Sequence, residues 1–317
     1  MKTVFIVNPK AGQGKDVDVF VHSLNGMIAN TGADASVYIT TDVCDATRFV
    51  RQYCESNGIA RFIACGGDGT LGEVLNGAVG FPGAEIGVVP MGTGNDFCRN
   101  FGYDFFNTVL QIEGDTVECD ALKYVTEVDG VEREGYCANM FNIGFDCNVA
   151  DMTSDMKKKP FMSGSLAYLA SILVSLVRKK CTELKVEIDG VEHHNGKLLL
   201  TSIANGCYCG GGIKSNPLAN VSDGFINVNI IRNLSRCRFI TLLPHYMKGT
   251  VLKLKGIEKY ILSKMCKTIT VTPLCGKMRL CIDGEIIDAG KTRFEIVHNA
   301  FKFVVPCVEK LKETEVV

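Results

Sequence analysis

The chain has 317 residues, with 34 Lys and Arg residues against 35 Asp and Glu residues, so its formal net charge is −1. This length allows one extended hydrophobic core or two smaller ones. A nearly neutral chain lacks the broad positive field on which non-specific nucleic-acid binding depends, so no nucleic-acid partner is expected.

The 15 cysteines are scattered singly along the chain. The one close pair, Cys207 and Cys209, has no second pair that would complete a zinc site. The amino-terminal stretch MKTVFIVNPK is strand-like and lacks the features of a signal peptide. We therefore expect free thiols and a cytoplasmic protein.

Strand and helix signals alternate in the first part of the chain. A helical stripe of apolar residues begins at Val17 and ends at Thr31-Gly32, and a second helix begins at Asp45 or Thr47 and ends before Gly58. Four β-then-α units predict an open parallel sheet of the α/β class. The predicted strands are continuous apolar runs at 4–8, 36–40, 61–65 and 86–90.

After about residue 122 the pattern changes to strands joined by tight turns. Both EVDGVE (127–132) and EIDGVE (187–192) place Asp-Gly between alternating residues, which is the signal of a two-residue β-hairpin. The second part of the chain is therefore predicted to be mostly antiparallel β.

The longest apolar segment is SLAYLASILVSLV, residues 165–177. Crossing a bilayer takes about 20 apolar residues, so this segment is too short to span one. It is either a core helix or a helix that lies on a membrane surface while flanking lysines meet anionic headgroups. The flanking lysines are Lys157, Lys158, Lys159, Lys179 and Lys180.

The stretch ACGGDGTLGEVLNG (64–77) matches the dinucleotide pattern G-x-G-x-x-G between a strand and a helix. The acidic residue that should hold a ribose about 20 positions later is missing near Pro90. The charge of Asp68 would also repel a pyrophosphate unless a cation intervened. Backbone N–H groups that hold phosphate oxygens, with Asp68 drawing in Mg²⁺ directly or through water, would resolve this conflict. The stretch therefore predicts a nucleoside triphosphate, magnesium and phosphoryl transfer.

A second loop, VPMGTGNDFCRNFG (89–102), also follows a strand. It supplies Thr93, Asn95, Asp96 and Arg99 near the carboxyl ends of parallel strands, where ligands of such sheets bind. Asp96 is a candidate partner of Asp68. The alternative is an Asn-Asp helix cap with Arg99 on a solvated surface.

Together these blocks resemble the soluble bacterial diacylglycerol kinase family of lipid kinases, which also includes sphingosine and ceramide kinases. Four further blocks carry the resemblance in the family's order along nearly the whole chain. They are VNPKAG (7–12), NIGFDCNVA (142–150), ANGCYCGGGIKSNPLANVSDGFINV (204–228) and CIDGE (281–285). The implied architecture is an α/β nucleotide-binding domain with a parallel sheet, residues 1–122 with about 292–317, and a mostly antiparallel β-sandwich lipid-substrate domain, residues 123–291.

The resemblance implies an ATP site and two magnesium positions. Asp68 and Asp96 would hold the catalytic Mg²⁺, possibly through water. Asn220, Asp223 and the backbone carbonyl of Phe225 would hold a structural Mg²⁺. The implied ATP-site residues are Asn8, Pro9, Lys10, Ala11, Gly12, Thr40, Gly66, Gly67, Asp68, Gly69, Thr70, Leu71, Gly72, Thr93, Asn95 and Asp96.

The implied catalytic pair lies in CIDGE. Asp283 or Glu285 would accept the proton of the lipid hydroxyl as it attacks the γ-phosphate. From the sequence alone, Asp283-Gly284 is equally well explained as a third tight turn. The chain departs from the family at Gly72, where an Asn or a similar polar residue is usual.

The function expected from the resemblance is an ATP- and Mg²⁺-dependent lipid kinase, with diacylglycerol as the expected acceptor and phosphatidic acid as product. One alternative is the phosphorylation of a soluble nucleotide, as in NAD kinases, which share the GGDGT block. Another is a catalytically silent nucleotide- or lipid-binding protein. A lipid kinase would contact the inner face of the membrane peripherally, and a homodimer is compatible with these observations.

Overall fold

The structure of the chain is a computed structural model that describes residues 1–11, 17–102, 108–145, 147 and 181–305. The chain forms two compact units. The N-terminal unit contains Met1–Asp120 and the chain from Asn299 onward, and the C-terminal unit contains Ala121–His298. The unit boundaries fall within two strands, Asp115–Val128 and Thr292–Val305, so each of these strands contributes residues to both units.

The N-terminal unit is built on a parallel sheet flanked by helices. Its strands are β1 (Thr3–Val7), β2 (Ala35–Ile39), β3 (Arg61–Gly66) and β4 (Glu85–Pro90), and their order in the sheet is β2-β1-β3-β4. Its helices are α1 (Val17–Thr31), α2 (Asp45–Asn57), α3 (Asp68–Ala78) and α4 (Thr108–Glu113). The four predicted strands are confirmed to within one residue at each end.

The continuous apolar runs form strands because the sheet of this unit is covered by helices. Every residue of β1 is buried. Phe5 and Ile63 on neighbouring strands pack with Leu24 of α1, Val89 of β4 and Val304, which lies in the last strand of the chain. A strand buried on both faces carries no polar alternation, which is the pattern that the sequence shows.

In its described residues, the C-terminal unit is an antiparallel β domain with one longer helix. Neighbouring strands follow the order β14-β13-β7-β9-β8-β12-β15, and β10 lies between β9 and β11. The strands are β5 (Asp115–Val128), β6 (Val131–Cys137), β7 (Met140–Gly144), β8 (Thr182–Ile188), β9 (Val191–Ala204), β10 (Ile226–Arg232), β11 (Ile261–Cys266), β12 (Thr268–Pro273), β13 (Met278–Ile282), β14 (Glu285–Ala289) and β15 (Thr292–Val305), and the helix is α5 (Arg236–Met247). The predicted change from a parallel to an antiparallel architecture is confirmed.

Three Asp-Gly pairs form two-residue hairpin turns in this unit. Asp129 and Asp189, the two predicted positions, join β5 to β6 and β8 to β9. Asp283 joins β13 to β14, so the tight-turn interpretation of CIDGE is also correct. In each pair both residues have positive φ, for example 47° at Asp189 and 79° at Gly190, which is the conformation that Asp-Gly favours in a type I′ turn.

The apolar segment 165–177 and its flanking lysines lie outside the described residues. Within the described ranges, no helix has both the length and the apolar character needed to cross a bilayer. The cysteines in those ranges are free thiols.

Candidate active site

Two glycine loops of the N-terminal unit lie in direct backbone contact. We call residues 66–72, which include the end of β3 and the start of α3, the first loop, and residues 91–97, after β4, the second loop. The Met91 N–H donates to the Gly66 carbonyl over 2.8 Å. A Cβ added at Gly92 would lie 2.5 Å from the Gly67 Cα, a distance that no side chain tolerates. Glycine is therefore required at this contact because the two backbones approach each other.

Asp68 joins the two loops with its carboxylate. Its Oδ1 accepts the backbone N–H of Asp96 over 2.8 Å and that of Phe97 over 3.3 Å. Asp68 is also the first residue of α3, where the helix dipole favours a negative charge. The structure thus gives Asp68 a role that the sequence did not indicate, since it fixes the position of the second loop.

The carboxylates of Asp68 and Asp96 converge at Gly94. The position of a Cβ on Gly94 would lie 2.9 Å from Asp68 Oδ2 and 3.1 Å from Asp96 Oδ2. Arg99 partly balances this charge, with its Nε 3.5 Å from Asp96 Oδ1. Oxygen ligands gathered around a small space suit Mg²⁺. These two residues fit a magnesium ion that takes its remaining ligands from water and phosphate, since the described residues contain no group of three or more His, Cys, Asp or Glu at one place.

Asn95 shapes the second loop from within. It is only 3% exposed and has a positive φ of 50°. Its side chain closes a reciprocal pair with Gly92, whose N–H donates to Oδ1 over 2.9 Å and whose carbonyl accepts from Nδ2 over 2.8 Å. Thr93, by contrast, is exposed.

The NPKAG segment meets the first glycine loop through Asn8. Asn8 Nδ2 donates to Thr70 Oγ1 over 3.1 Å, and Asn8 Oδ1 accepts the N–H of Lys10 over 2.9 Å. A Cβ at Gly66 would lie 2.3 Å from that same Thr70 oxygen. Pro9 and Lys10 are exposed, so the segment presents its backbone and the Lys10 ammonium to solvent.

Three other implied ATP-site residues have different surroundings. Leu71 is 2% exposed, so a contact between its side chain and a nucleotide is not supported. Thr40 is buried at the end of β2, where its hydroxyl donates to the Val7 carbonyl over 3.3 Å. At Gly72 no atom lies within 4 Å of an added Cβ, so the absent polar side chain leaves open space there. Gly12 lies outside the described residues.

Two carboxylates next to this site hold the start of α2 in place: Glu73, which lies on α3, and Asp45, the first residue of α2. The sequence did not reveal either role. The Glu73 carboxylate accepts the N–H of Cys44 over 3.0 Å and that of Ala46 over 3.2 Å, which caps α2. The buried Asp45 carboxylate accepts the N–H of Thr41 over 2.8 Å, and this bond lowers the pKa of Asp45 below its ordinary value. The only available signal was an acidic residue one position after Gly72.

In the C-terminal unit, the turn aspartate Asp283 is fixed by two donors from β7 and the end of β6. Its Oδ1 accepts the Met140 N–H over 3.0 Å, and its Oδ2 accepts the Cys137 thiol over 3.1 Å. Burial and the Asp283 charge hold the pKa of Cys137 well above its usual range, so this thiol keeps its proton and remains a donor. Glu285 begins β14 and is exposed.

The loop 220–225 does not fit a magnesium ion as it is arranged. Asn220 Oδ1 accepts from the Ser222 N–H and hydroxyl, and Asp223 Oδ1 accepts the Phe225 N–H over 2.9 Å. The Lys267 ammonium donates to the Gly224 carbonyl and lies 3.8 Å from the centre of the Phe225 ring. A cation of the protein therefore already lies beside this loop.

The family comparisons define the chain as a lipid kinase-type phosphotransferase with a catalytic domain followed by a β-sandwich-like domain. Residues 2–124 match the model of the diacylglycerol kinase catalytic domain, and residues 139–305 match the model of the YegS C-terminal NAD kinase beta sandwich-like domain. The chain belongs to this family of diacylglycerol kinase and YegS-like lipid kinases. It is a lipid kinase, and membership of this family implies the use of ATP.

The similarity to individual relatives extends along most of the chain. A diacylglycerol kinase of Mycobacterium tuberculosis H37Rv is 26% identical over 288 residues, which are 90% of this chain and 88% of the relative. A diacylglycerol kinase of Bacillus subtilis 168 is 27% identical over 291 residues, 88% of each chain. A crystal structure of a diacylglycerol kinase from Bacillus anthracis str. Sterne has a TM-score of 0.67 at 20% identity, covers 96% of both chains and shares the fold.

Proposed function

We propose that the protein is a diacylglycerol kinase, which transfers the γ-phosphate of ATP to the free hydroxyl of diacylglycerol and releases phosphatidic acid and ADP. The observation that carries the proposal is the convergence of Asp68 Oδ2 and Asp96 Oδ2 at Gly94, inside two glycine loops of the matched catalytic domain. The names of the Mycobacterium and Bacillus relatives support diacylglycerol as the acceptor.

We assign the phosphates of ATP to the paired glycine loops. The loops offer backbone N–H groups and little side-chain bulk, and phosphate oxygens bind well at such turns and at the adjoining start of α3. Asn8, Thr70 and Lys10 line the same edge of the parallel sheet, while Asn95 keeps the second loop in shape. Mg²⁺ held by Asp68 and Asp96 would supply charge neutralisation at the phosphates.

We assign Asp283 as the group that accepts the hydroxyl proton. Its two donors, the Met140 N–H and the Cys137 thiol, fix the carboxylate in one orientation. Little basicity is required of this carboxylate, because in phosphoryl transfer positioning and charge neutralisation carry most of the catalysis.

The test is a transfer assay with Mg²⁺, γ-labelled ATP and mixed micelles that each contain one alcohol. The panel contains diacylglycerol, ceramide, sphingosine, phosphatidylglycerol and an isoprenol, and NAD is supplied separately in solution. We expect label in phosphatidic acid. Label in another lipid would show that this lipid, and not diacylglycerol, is the substrate. Label in NADP would reject the proposal in favour of the phosphorylation of a soluble nucleotide.

Two variants make the assay specific for the site. Asp68→Asn keeps an oxygen that accepts the N–H groups of the second loop but removes the charge, so activity should fall while the fold is retained. Asp34→Asn is the matched control, because Asp34 is an exposed carboxylate that lies 3.8 Å from Lys2. ATP binding without turnover in the unmodified protein would favour the silent-binder alternative.

A further inference from the structure

One described stretch of the C-terminal unit is rich in basic residues and contains no acids. From Gly224 to Ile257 the chain has no Asp or Glu, although the whole chain has 35 of them. The next acid is Glu258, which Lys259 follows immediately. The stretch carries six basic side chains, Arg232, Arg236, Arg238, Lys248, Lys253 and Lys255. Among the residues that the structure describes, a chain of formal net charge −1 therefore has a distinctly basic region here.

These six basic residues are all exposed in the structure. We call the exposed residues of 232–259 the α5 surface. Lys248, Lys253 and Lys255 form no ion pair within the described part of the chain. Positive side chains without acidic neighbours in sequence project a field toward any partner that approaches this face.

Helix α5 is amphipathic in a way that suits an interface. Phe239 and Leu242 are buried beneath it, whereas Ile240 is 55% exposed on its outer side. Arg236 and Ile240 are four residues apart, so they follow one side of the helix, and Lys248 comes directly after its last residue. An exposed apolar residue between cations is typical of helices that lie at the surface of an anionic membrane.

The inner side of α5 covers an apolar cavity of about 30 Å³. The floor of the cavity is a row of cross-strand neighbours, Leu200 on β9, Ile231 on β10 and Ile261 on β11. Its roof includes Leu242 and Tyr246 of the helix. The packing beneath α5 therefore leaves a small space whose floor is apolar. The helix thus has a basic, exposed side and an apolar, inward side.

We propose that the α5 surface docks the protein on bilayers that contain anionic phospholipids. The charge complementarity between this predominantly basic face and phosphate-bearing headgroups carries the proposal, and Ile240 adds an apolar contact below the headgroups. The inference rests on the proposed function in one respect, since a kinase whose acceptor lies in a bilayer must remain at its surface during transfer. It concerns residues separate from Asp68, Asp96 and Asp283.

The test is flotation of the full chain, without ATP, with vesicles of phosphatidylcholine alone or mixed with phosphatidylglycerol. We expect binding only to the mixed vesicles, and weaker binding as salt rises. The variant R236Q/K248Q/K253Q/K255Q should bind about 100-fold more weakly, because each basic residue near an anionic surface contributes severalfold to affinity. I240S should weaken binding a few-fold with no change in charge.

The matched control removes the same charge elsewhere in the C-terminal unit. It is R133Q/K197Q/K291Q/R293Q, whose four positions are also exposed. Equal loss of binding in this control, or unchanged binding in the α5 variant, would overturn the proposal. If the α5 variant lost binding to a single-stranded oligonucleotide while its vesicle binding was unchanged, the surface would be assigned to nucleic acid. That result would also overturn the proposal.

A second readout separates this inference from the proposed function. Short-chain diacylglycerol that is monomeric in water should be phosphorylated equally by the unmodified protein and the α5 variant, whereas diacylglycerol in mixed vesicles should be phosphorylated slowly by the variant. Vesicle binding without phosphorylation of either lipid would leave the docking surface standing and reject the kinase substrate. Full activity of the variant on vesicles would reject the docking surface.

Discussion

Glycine serves two different physical purposes in the two units of this protein. At Gly66 and Gly92 in the N-terminal unit, an added Cβ would collide with Thr70 or with the backbone of Gly67. At Gly130, Gly190 and Gly284 in the C-terminal unit, an added Cβ would meet nothing within 4 Å, but φ is positive. The first group permits close approach of two loops, and the second permits a turn.

This difference shows which glycines belong to a site. A turn needs only a backbone conformation, which Asn can partly supply. A contact between two backbones needs the absence of any side chain, and a phosphate-binding loop needs the same absence. Crowding alone does not identify the site, since Gly77, Gly87 and Gly135 are equally crowded with ordinary φ. The candidate ATP site is marked by a crowded glycine whose neighbour is the backbone of the other glycine loop, as at Gly92.

The largest expected effect separates two aspartates that occupy equivalent turns. Asp283→Asn should lower kcat/KM for lipid phosphorylation by about 1000-fold, within the range usual for the loss of a general base. Asn tolerates the turn and still accepts the Met140 N–H, so the melting temperature should change little. Kinetics in mixed micelles and a thermal melt of the same preparation measure both quantities.

Asp189→Asn is the control for that substitution. Asp189 also precedes a glycine with positive φ, and its carboxylate accepts the backbone N–H groups of Lys267 and Thr268. We expect full activity in this variant. If both variants retain activity, Asp283 is only a turn residue and the assignment of the base is wrong.

The second effect concerns the contact between the glycine loops. Gly92→Ala should destabilise the protein by about 3 kcal/mol, since overpacking against a rigid backbone cannot be relieved by a rotamer change. ATP affinity should fall with it, as measured by calorimetric titration, and urea unfolding gives the stability. Gly26→Ala in α1 is the control, because its Cβ meets nothing within 4 Å and the helix should gain about 0.5–1 kcal/mol. A stable Gly92→Ala protein that binds ATP normally would contradict the steric account.

A third effect is dependent on pH and tests the support beneath the site. Folding lowers the pKa of Asp45 chiefly through the Thr41 N–H, so its stabilising contribution is complete above the unfolded value of about 3.9 and is lost as the pH falls through the folded value. Asp45→Asn should therefore destabilise by roughly 1.5 kcal/mol at about pH 7, and the difference should shrink in acid. Thermal melts of the unmodified protein and the variant, from neutral pH into acid, measure the difference in stability. A difference that does not change with pH would show that the charge of Asp45 is not its cause.

The smallest effect belongs to the turn glycines. Gly190→Ala should cost roughly 1 kcal/mol, which is the usual penalty for placing a side chain at positive φ. Gly190→Asn should cost less, and neither change should alter lipid phosphorylation. Urea unfolding measures the loss of stability in both variants. If Gly190→Ala destabilised the protein as much as Gly92→Ala does, the distinction between the two kinds of glycine would be wrong.

How much of the site can be predicted from the sequence depends on how far apart along the chain the contacting residues lie. The family blocks identified Asp68, Asp96 and Asp283 as candidates, because each block is short and contiguous. The bond from Asp68 to the second loop joins residues 28 and 29 positions apart, and the Asp283 partners lie more than 140 positions away. Pairings at such separations leave no trace in local composition, which is why the roles of Glu73 and Cys137 were also missed.

The amino-acid sequence by itself determined the alternation of strands and helices, the Asp-Gly turns at Asp129 and Asp189, and membership of the lipid kinase family, because these depend on apolar periodicity, local backbone preference and contiguous motifs. Only the tertiary structure decided that Asp68 bridges two loops, that Leu71 is buried, that Lys267 lies beside the loop expected to hold a structural magnesium ion, and that the acid-free stretch forms an exposed basic face over an apolar cavity. Each of these depends on which distant segments meet when the sheets form, and on the space and charge that this meeting leaves between them.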